Sequence, residues 1–225
     1  MKGLMWFRND LRMDDNPALR NASIECEEVH AIYIFSSRQN NLHNEANCKI
    51  EFLIENLKTL DQELSKINIP LTIIDSTGFK DNKDIILNLI KERSINKVFW
   101  NNQFGNDEQN RDGHIISSFK KNDVEFSSYH EKVIFSPGSI RTAEDKPYSV
   151  FTPFKKKWIE NFNLDLLDIE FNYKTKKKTS IESNVSDFNF KYERNHSVDM
   201  SLWPPGESNA KDRLELYLSK NILRY

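Results

Sequence analysis

The chain has 225 residues, a formal net charge of −2 and a pI near 6.2, with 38% hydrophobic and 12% aromatic residues. That balance supports one packed domain with extra chain, or two small domains, and excludes a protein basic throughout; a local basic patch remains open. No run approaches the roughly 20 apolar residues of a membrane span, and the two cysteines, Cys26 and Cys48, offer neither a disulfide framework nor metal-ligand spacing.

The start, Met1-Lys2-Gly3-Leu4-Met5-Trp6-Phe7, meets Arg8 at once. It reads as a first β-strand rather than a secretion signal, and the expected location is cytoplasmic. Short runs rich in β-branched and aromatic residues then recur: Leu4–Phe7, Val29–Phe35, Leu71–Ile74 and Val98–Trp100. Their length and polar flanks predict buried strands. Helical patterns lie between them. From about Ala46 to Ile67, the residues Ile50, Leu53, Leu57, Leu60, Leu64 and Ile67 step by three and four along one face. Ile69-Pro70 ends that helix. Ile85, Ile86, Leu89 and Ile90 predict a second helix from near Asp81, and Ile115, Ile116 and Phe119 a third from about Asp107 to Lys121.

Strands alternating with helices predict an α/β fold, with a doubly wound parallel five-stranded sheet over residues 1–130. Ligands of such folds sit beyond the carboxyl ends of the strands, so the loops after Phe7, Phe35, Asp75 and Trp100 are where function is expected. Residues 131–162 are expected to close this domain. Residues 163–202, rich in Asn, Lys, Ser and Asp, read as a surface linker. Order resumes at Trp203-Pro204-Pro205-Gly206-Glu207, and 203–225 reads as a helix with prolines at its entrance.

Gly-rich phosphate loops, metal-ligand clusters and nucleophile elbows are absent, so fold pattern alone leaves function open. The first loop says more. By residue type, Asp15 or Asn16 caps a helix that has Pro17 in its first turn. Its order, Trp6-Phe7-Arg8-Asn9-Asp10-Leu11-Arg12-Met13-Asp14-Asp15-Asn16-Pro17-Ala18-Leu19, resembles the opening of the DNA photolyase and cryptochrome family. Tyr148-Ser149-Val150-Phe151-Thr152-Pro153-Phe154-Lys155-Lys156-Lys157-Trp158 resembles a segment of the class I cyclobutane pyrimidine dimer photolyases. Two further stretches agree in order: Asn101 to Asp112, and Trp203 to Glu207 with Ala210, Leu214 and Tyr225.

The resemblance implies an α/β domain that holds a light-harvesting antenna chromophore, followed by a helical domain that binds FAD and acts on damaged DNA. One branch of the family uses 5,10-methenyltetrahydrofolate. Ser37-Arg38-Gln39 with His43-Asn44 is similar to the loop of that branch, and Glu108 matches its acidic folate contact. A carboxylate suits a pterin because it accepts hydrogen bonds from neighbouring N–H groups. Asp107 stands where folate-binding relatives commonly carry Asn, which removes an amide donor and adds a charge. The resemblance therefore gives His43, Asp107 and Glu108 as folate contacts. Their residue types alone also fit a solvated loop histidine and acids at a helix N-terminus. A deazaflavin antenna or an empty site stays open.

Arg8 and Asp10 are expected to form ion pairs across the domain interface, and Phe151, Phe154 and Trp158 to anchor packing. Lys155–Lys157 and Lys176–Lys178 fit a solvated surface, with DNA phosphates as the alternative. Tyr225 falls where the family contacts the FAD phosphates. No catalytic residue and no metal ligand is assigned. The resemblance implies that most of the flavin domain lies outside this chain, so the chain alone is expected not to split pyrimidine dimers. A stand-alone antenna-like binding module and a cryptochrome-type photoreceptor fragment are the alternatives. The full-length family is usually monomeric.

Overall fold

The computed structural model describes residues 1–167, 171–192, 199–220 and 222. Five strands, β1 (Lys2–Phe7), β2 (Glu28–Phe35), β3 (Leu71–Asp75), β4 (Lys97–Asn101) and β5 (Glu125–Tyr129), form one sheet in the order β3-β2-β1-β4-β5. Every pairing is parallel. The α/β doubly wound expectation is borne out.

Successive side chains of a strand face opposite ways. Met5 and Phe7 of β1 therefore enter one core, with α1 (Pro17–Glu25) and α3 (Asn47–Ser65). Leu4 and Trp6 enter the other, with α4 (Asn82–Arg93) and α5 (Asn106–Lys121). Both faces of β1 are thus covered, which is why its sequence is a continuous apolar run. β5 reads Glu-Phe-Ser-Ser-Tyr and is nowhere fully buried. A polar edge strand of this kind leaves no apolar run to recognise.

Local signals account for the helix ends. Asn16 caps α1 by accepting the Leu19 N–H at 3.1 Å, and Pro17 occupies the first turn. In α3 the stripe buries Ile50, Ile54, Leu57, Leu60 and Leu64, with Leu53 only partly covered. Ser37–Leu42, expected as a loop, is a short helix, α2, capped by the Ser36 hydroxyl on the Gln39 N–H.

The stretch expected as a surface linker is fastened to the sheet. Asn184 grips β3 twice: its Oδ1 accepts the Ile73 N–H at 2.7 Å and its Nδ2 donates to the Ile73 carbonyl at 3.0 Å. Val185 is buried, and Phe188 and Phe190 pack edge-on against Phe35. Lys176 is not a free surface cation. Its Nζ donates to the Ser23 and Cys26 carbonyls at the end of α1, and burial lowers its pKa.

Helix α6 (Phe151–Asn161) buries none of its residues among those described. Trp158 lies edge-on to Phe135 and stacks on Phe162, while Phe154 meets Tyr148. Phe151, expected as an anchor, is 72% exposed. Helix α7 (Glu207–Lys220) begins where a helix was expected.

Candidate functional site

The chain runs outward from β1 through β2 to β3 and then returns to β4 on the other side of β1, so the loops leaving β1 and β4 diverge and open a crevice at their carboxyl ends. Arg8 leaves β1 there, 5% exposed. Its Nη1 donates to Asp112 Oδ2 at 2.8 Å and to the Asn101 carbonyl at 3.2 Å. Its guanidinium lies 4.0 Å from the Trp6 ring centroid. Arg111 binds the other oxygen of the same carboxylate, Nε to Asp112 Oδ1 at 2.9 Å, and reaches Gln103 Oε1 at 2.9 Å. One carboxylate therefore holds two guanidiniums. Burial, and then the charge of Arg111, lower the Arg8 pKa to about 10, so Arg8 stays cationic at neutral pH. Arg8 Nε and Nη2 find no hydrogen-bond partner among the described residues; the faces of Trp6 and Trp100 stand nearby instead.

Asp10 completes the rim. Its Oδ1 accepts the Arg8 backbone N–H at 2.7 Å and its Oδ2 accepts Asn101 Nδ2 at 2.6 Å. Asn101 also donates to Asn16 Oδ1 and accepts the Ala18 N–H. Arg8 and Asp10 were expected to pair across a domain interface. The partners found for them lie inside the α/β layer, because both side chains are buried at the sheet's end. Contact with α7 is made farther along the loop, at Met13 and Asp14.

Beyond this rim lies a cavity of about 370 Å³. Arg8, Tyr33, His43, Leu53, Glu108 and Arg111 are among its lining, and every lining residue falls between Trp6 and Arg111. Tyr33 is half-buried in the cavity wall, and the burial of its phenol pushes its pKa upward. Glu108, Arg111 and Asp112 share one face of α5 by their spacing of three and four residues. The Glu108 carboxylate folds back toward Gly105, the residue before α5, where an added Cβ would collide with it.

The structure thus brings two of the expected antenna contacts, Glu108 and His43, to one cavity. Asp107 is not in the lining; it faces outward, 3.8 Å from His43 Nε2. Tyr225 lies outside the described residues. Reading the sequence missed Tyr33, and it took in Arg111 and Asp112 only as part of the Asn101 to Asp112 resemblance, without a role. The last two had a usable signal, since they follow Glu108 at helical spacing and carry opposite charge.

A parallel α/β layer with a polar-rimmed cavity at its switch point is an architecture in which ligands sit beyond the carboxyl ends of the strands. The family model described as DNA photolyase matches residues 3–174, and the chain belongs to that family. Among curated relatives, the deoxyribodipyrimidine photo-lyase of Buchnera aphidicola from Acyrthosiphon pisum is 30% identical over 95% of this chain and 44% of its own length. The corresponding protein of Escherichia coli strain K12 is 30% identical over 99% of this chain and 46% of its own length. The chain spans about half the length of the curated relatives it matches. Among solved structures, a class III photolyase from Agrobacterium tumefaciens superposes with a TM-score of 0.71 over 97% of this chain and 44% of that one, at 22% identity. An archaeal photolyase from Sulfolobus tokodaii, solved with two FAD molecules, gives 0.59 over 84% and 40%, also at 22% identity. Both show the shared fold.

Proposed function

We propose that this chain is the light-harvesting part of a deoxyribodipyrimidine photo-lyase, and that its cavity holds 5,10-methenyltetrahydrofolate. The observation that carries the reading is a cavity at the switch point, lined wholly by residues 6–111, with Glu108 among its walls. A volume near 370 Å³ suits the ring system of a pterin and leaves the tail of the ligand at the mouth. Glu108 would accept hydrogen bonds from the pterin amino and ring N–H groups, and Arg8 and Arg111, both paired with Asp112, would lie beneath the ring. His43 and Asp107 would border the tail. When bound, the folate supplies light absorption; the chain orients it and shields it from water.

In this reading residues 1–130 form the antenna domain, 131–162 close it, 163–202 connect, and 203–225 open the helical domain in which FAD and damaged DNA are bound. Tyr225 would face the FAD phosphates. The whole protein would work in the cytoplasm, where free thiols such as Cys26 and Cys48 persist. Among the described residues no helix is long and apolar enough to cross a membrane.

The test is titration of the purified chain with 5,10-methenyltetrahydrofolate, following its absorbance and fluorescence. Saturable one-to-one binding is expected. Glu108→Ala should weaken it by about ten- to a hundredfold, the range for a charge-assisted hydrogen bond of about 1.5–3 kcal/mol. Absence of saturation, or full affinity in the variant, overturns the assignment.

A further inference from the structure

Among the described residues, the turn from Pro205 into α7 meets the α/β layer through a small set of specific groups. The Glu207 carboxylate accepts the Met13 N–H at 2.9 Å on Oε2 and the Asp14 N–H at 3.2 Å on Oε1. Immediately before it, the Gly206 N–H donates to Asn56 Oδ1 of α3 at 2.9 Å. Gly206 has φ +99°, and a Cβ there would lie 2.7 Å from Thr59 Cγ2. Only glycine adopts that backbone at that approach without displacement. One turn on, Lys211 pairs with Asp14 and lies 3.5 Å from Glu207 Oε1. Tyr173 holds the other side of the loop, donating to the Met13 carbonyl at 2.6 Å.

The gripped loop is the one that forms the cavity wall. Arg8 and Asn9 line the cavity, Asp10 and Asn16 are tied to Asn101, and Met13 and Asp14 receive Glu207. A short, internally braced segment thus connects the cavity to the first turn of α7.

We propose that Glu207 is a positioning residue, a latch that fixes α7 on the cavity loop and so sets the orientation of whatever α7 carries relative to the cavity's ligand. The consequence for light harvesting rests on the chromophore reading above; the latch itself does not. Energy transfer between pigments depends on their separation and relative angle, so a loose joint would scatter both.

The test uses the chain with spin labels on the exposed Cys48 of α3 and on a second cysteine, Ser219→Cys, in α7; Cys26 is buried and stays unlabelled. The unaltered latch should give one narrow distance distribution. Glu207→Ala should broaden it and raise amide exchange at Met13 and Asp14 at least tenfold, with exchange across β1–β5 and the thermal midpoint unchanged. Glu207→Gln keeps a carbonyl acceptor for these amides and should restore most of the narrow distribution. A narrow distribution in Glu207→Ala overturns the proposal. So does broadening accompanied by faster exchange throughout the sheet, since that marks general loosening. Folate titration of the same samples separates the two ideas: a latch that behaves as described in a chain that binds no folate sinks only the chromophore reading.

Discussion

The carboxyl rim of the sheet and the seam along β3 join distant parts of the chain by different chemistry. At the rim, Arg8, Asp10, Arg111 and Asp112 are all buried, 3–8% exposed. Each ion is tolerated there because its neighbours replace water. At the seam, residues 171–192 are held to the end of α1, to the turn after α3 and to β3 by backbone and amide hydrogen bonds, and to Phe35 of β2 by aromatic packing. A buried charge network fixes one geometry, because any displacement strands an ion. Amide pairing and edge-on rings cost less to shift. The rim is where a ligand must be met by groups already in place, and the seam has only to stay shut.

The comparison predicts its largest difference at Asp112. Asp112→Ala leaves two buried guanidiniums without the carboxylate they share. Removing one partner of a buried pair costs about 3–5 kcal/mol, so a large fall in the urea midpoint is expected. Folate titration of whatever variant stays folded should show weakened binding, since Arg8 and Arg111 line the cavity. A loss below about 1 kcal/mol, the scale of an exposed pair, would show that the rim is wetter than its burial indicates.

The second difference concerns pH and lies on the seam side. Cys26 ends α1, and its carbonyl accepts Lys176 Nζ. Burial, with the charge of Glu25, pushes its thiol pKa up to about 11 from 9. A folded-state pKa above the unfolded one contributes stability that is complete below pH 9 and is lost as pH rises through 11. Two units correspond to about 2–3 kcal/mol. Arg8 acts in the opposite sense, since its lowered pKa relieves a folded-state cost only above about pH 10. Comparing Cys26→Ala with the parent cancels Arg8 and isolates the thiol. The parent should lose stability more steeply than the variant between pH 9 and 11; parallel curves would mean that the thiol is not held from water.

How much of this was legible in the sequence follows from whether the cause is local. The α3 stripe, the Asn16 cap with Pro17 and the apolar run of β1 each state their structure within a few residues. Ser36 with Gln39 three positions on was a usable capping signal for α2, hidden because the segment is polar and short. Glu108 and His43 were named through family resemblance, not through spacing, and their meeting at one cavity depends on the sheet's topology. The roles of Asn184 and Glu207 could not be read: each acts on a residue more than a hundred positions away, and neither composition nor periodicity encodes such a pair. Lys176 shows the reverse error, since a run of lysines resembles a solvated surface until one of them is found capping a helix.

The smallest expected effect tests what the seam is for. β3 is an edge strand, and an open edge presents unpaired N–H and C=O groups to any other strand. Asn184 occupies one such pair, accepting from Ile73 and donating back to it, as a neighbouring strand would. Asn184→Ala removes both bonds while Val185, Phe188 and Phe190 still cover the core. Water can reach the freed groups at an edge, so the stability loss should be near 1 kcal/mol, well under that at Asp112. The informative readout is association. Sedimentation should show the variant, but not the parent, forming concentration-dependent dimers through β3, and Ile73→Pro in the variant background should abolish them by removing the N–H that a second strand needs. A variant that stays monomeric while losing the same stability would show that the seam only packs, and that the aromatic cover alone guards the edge.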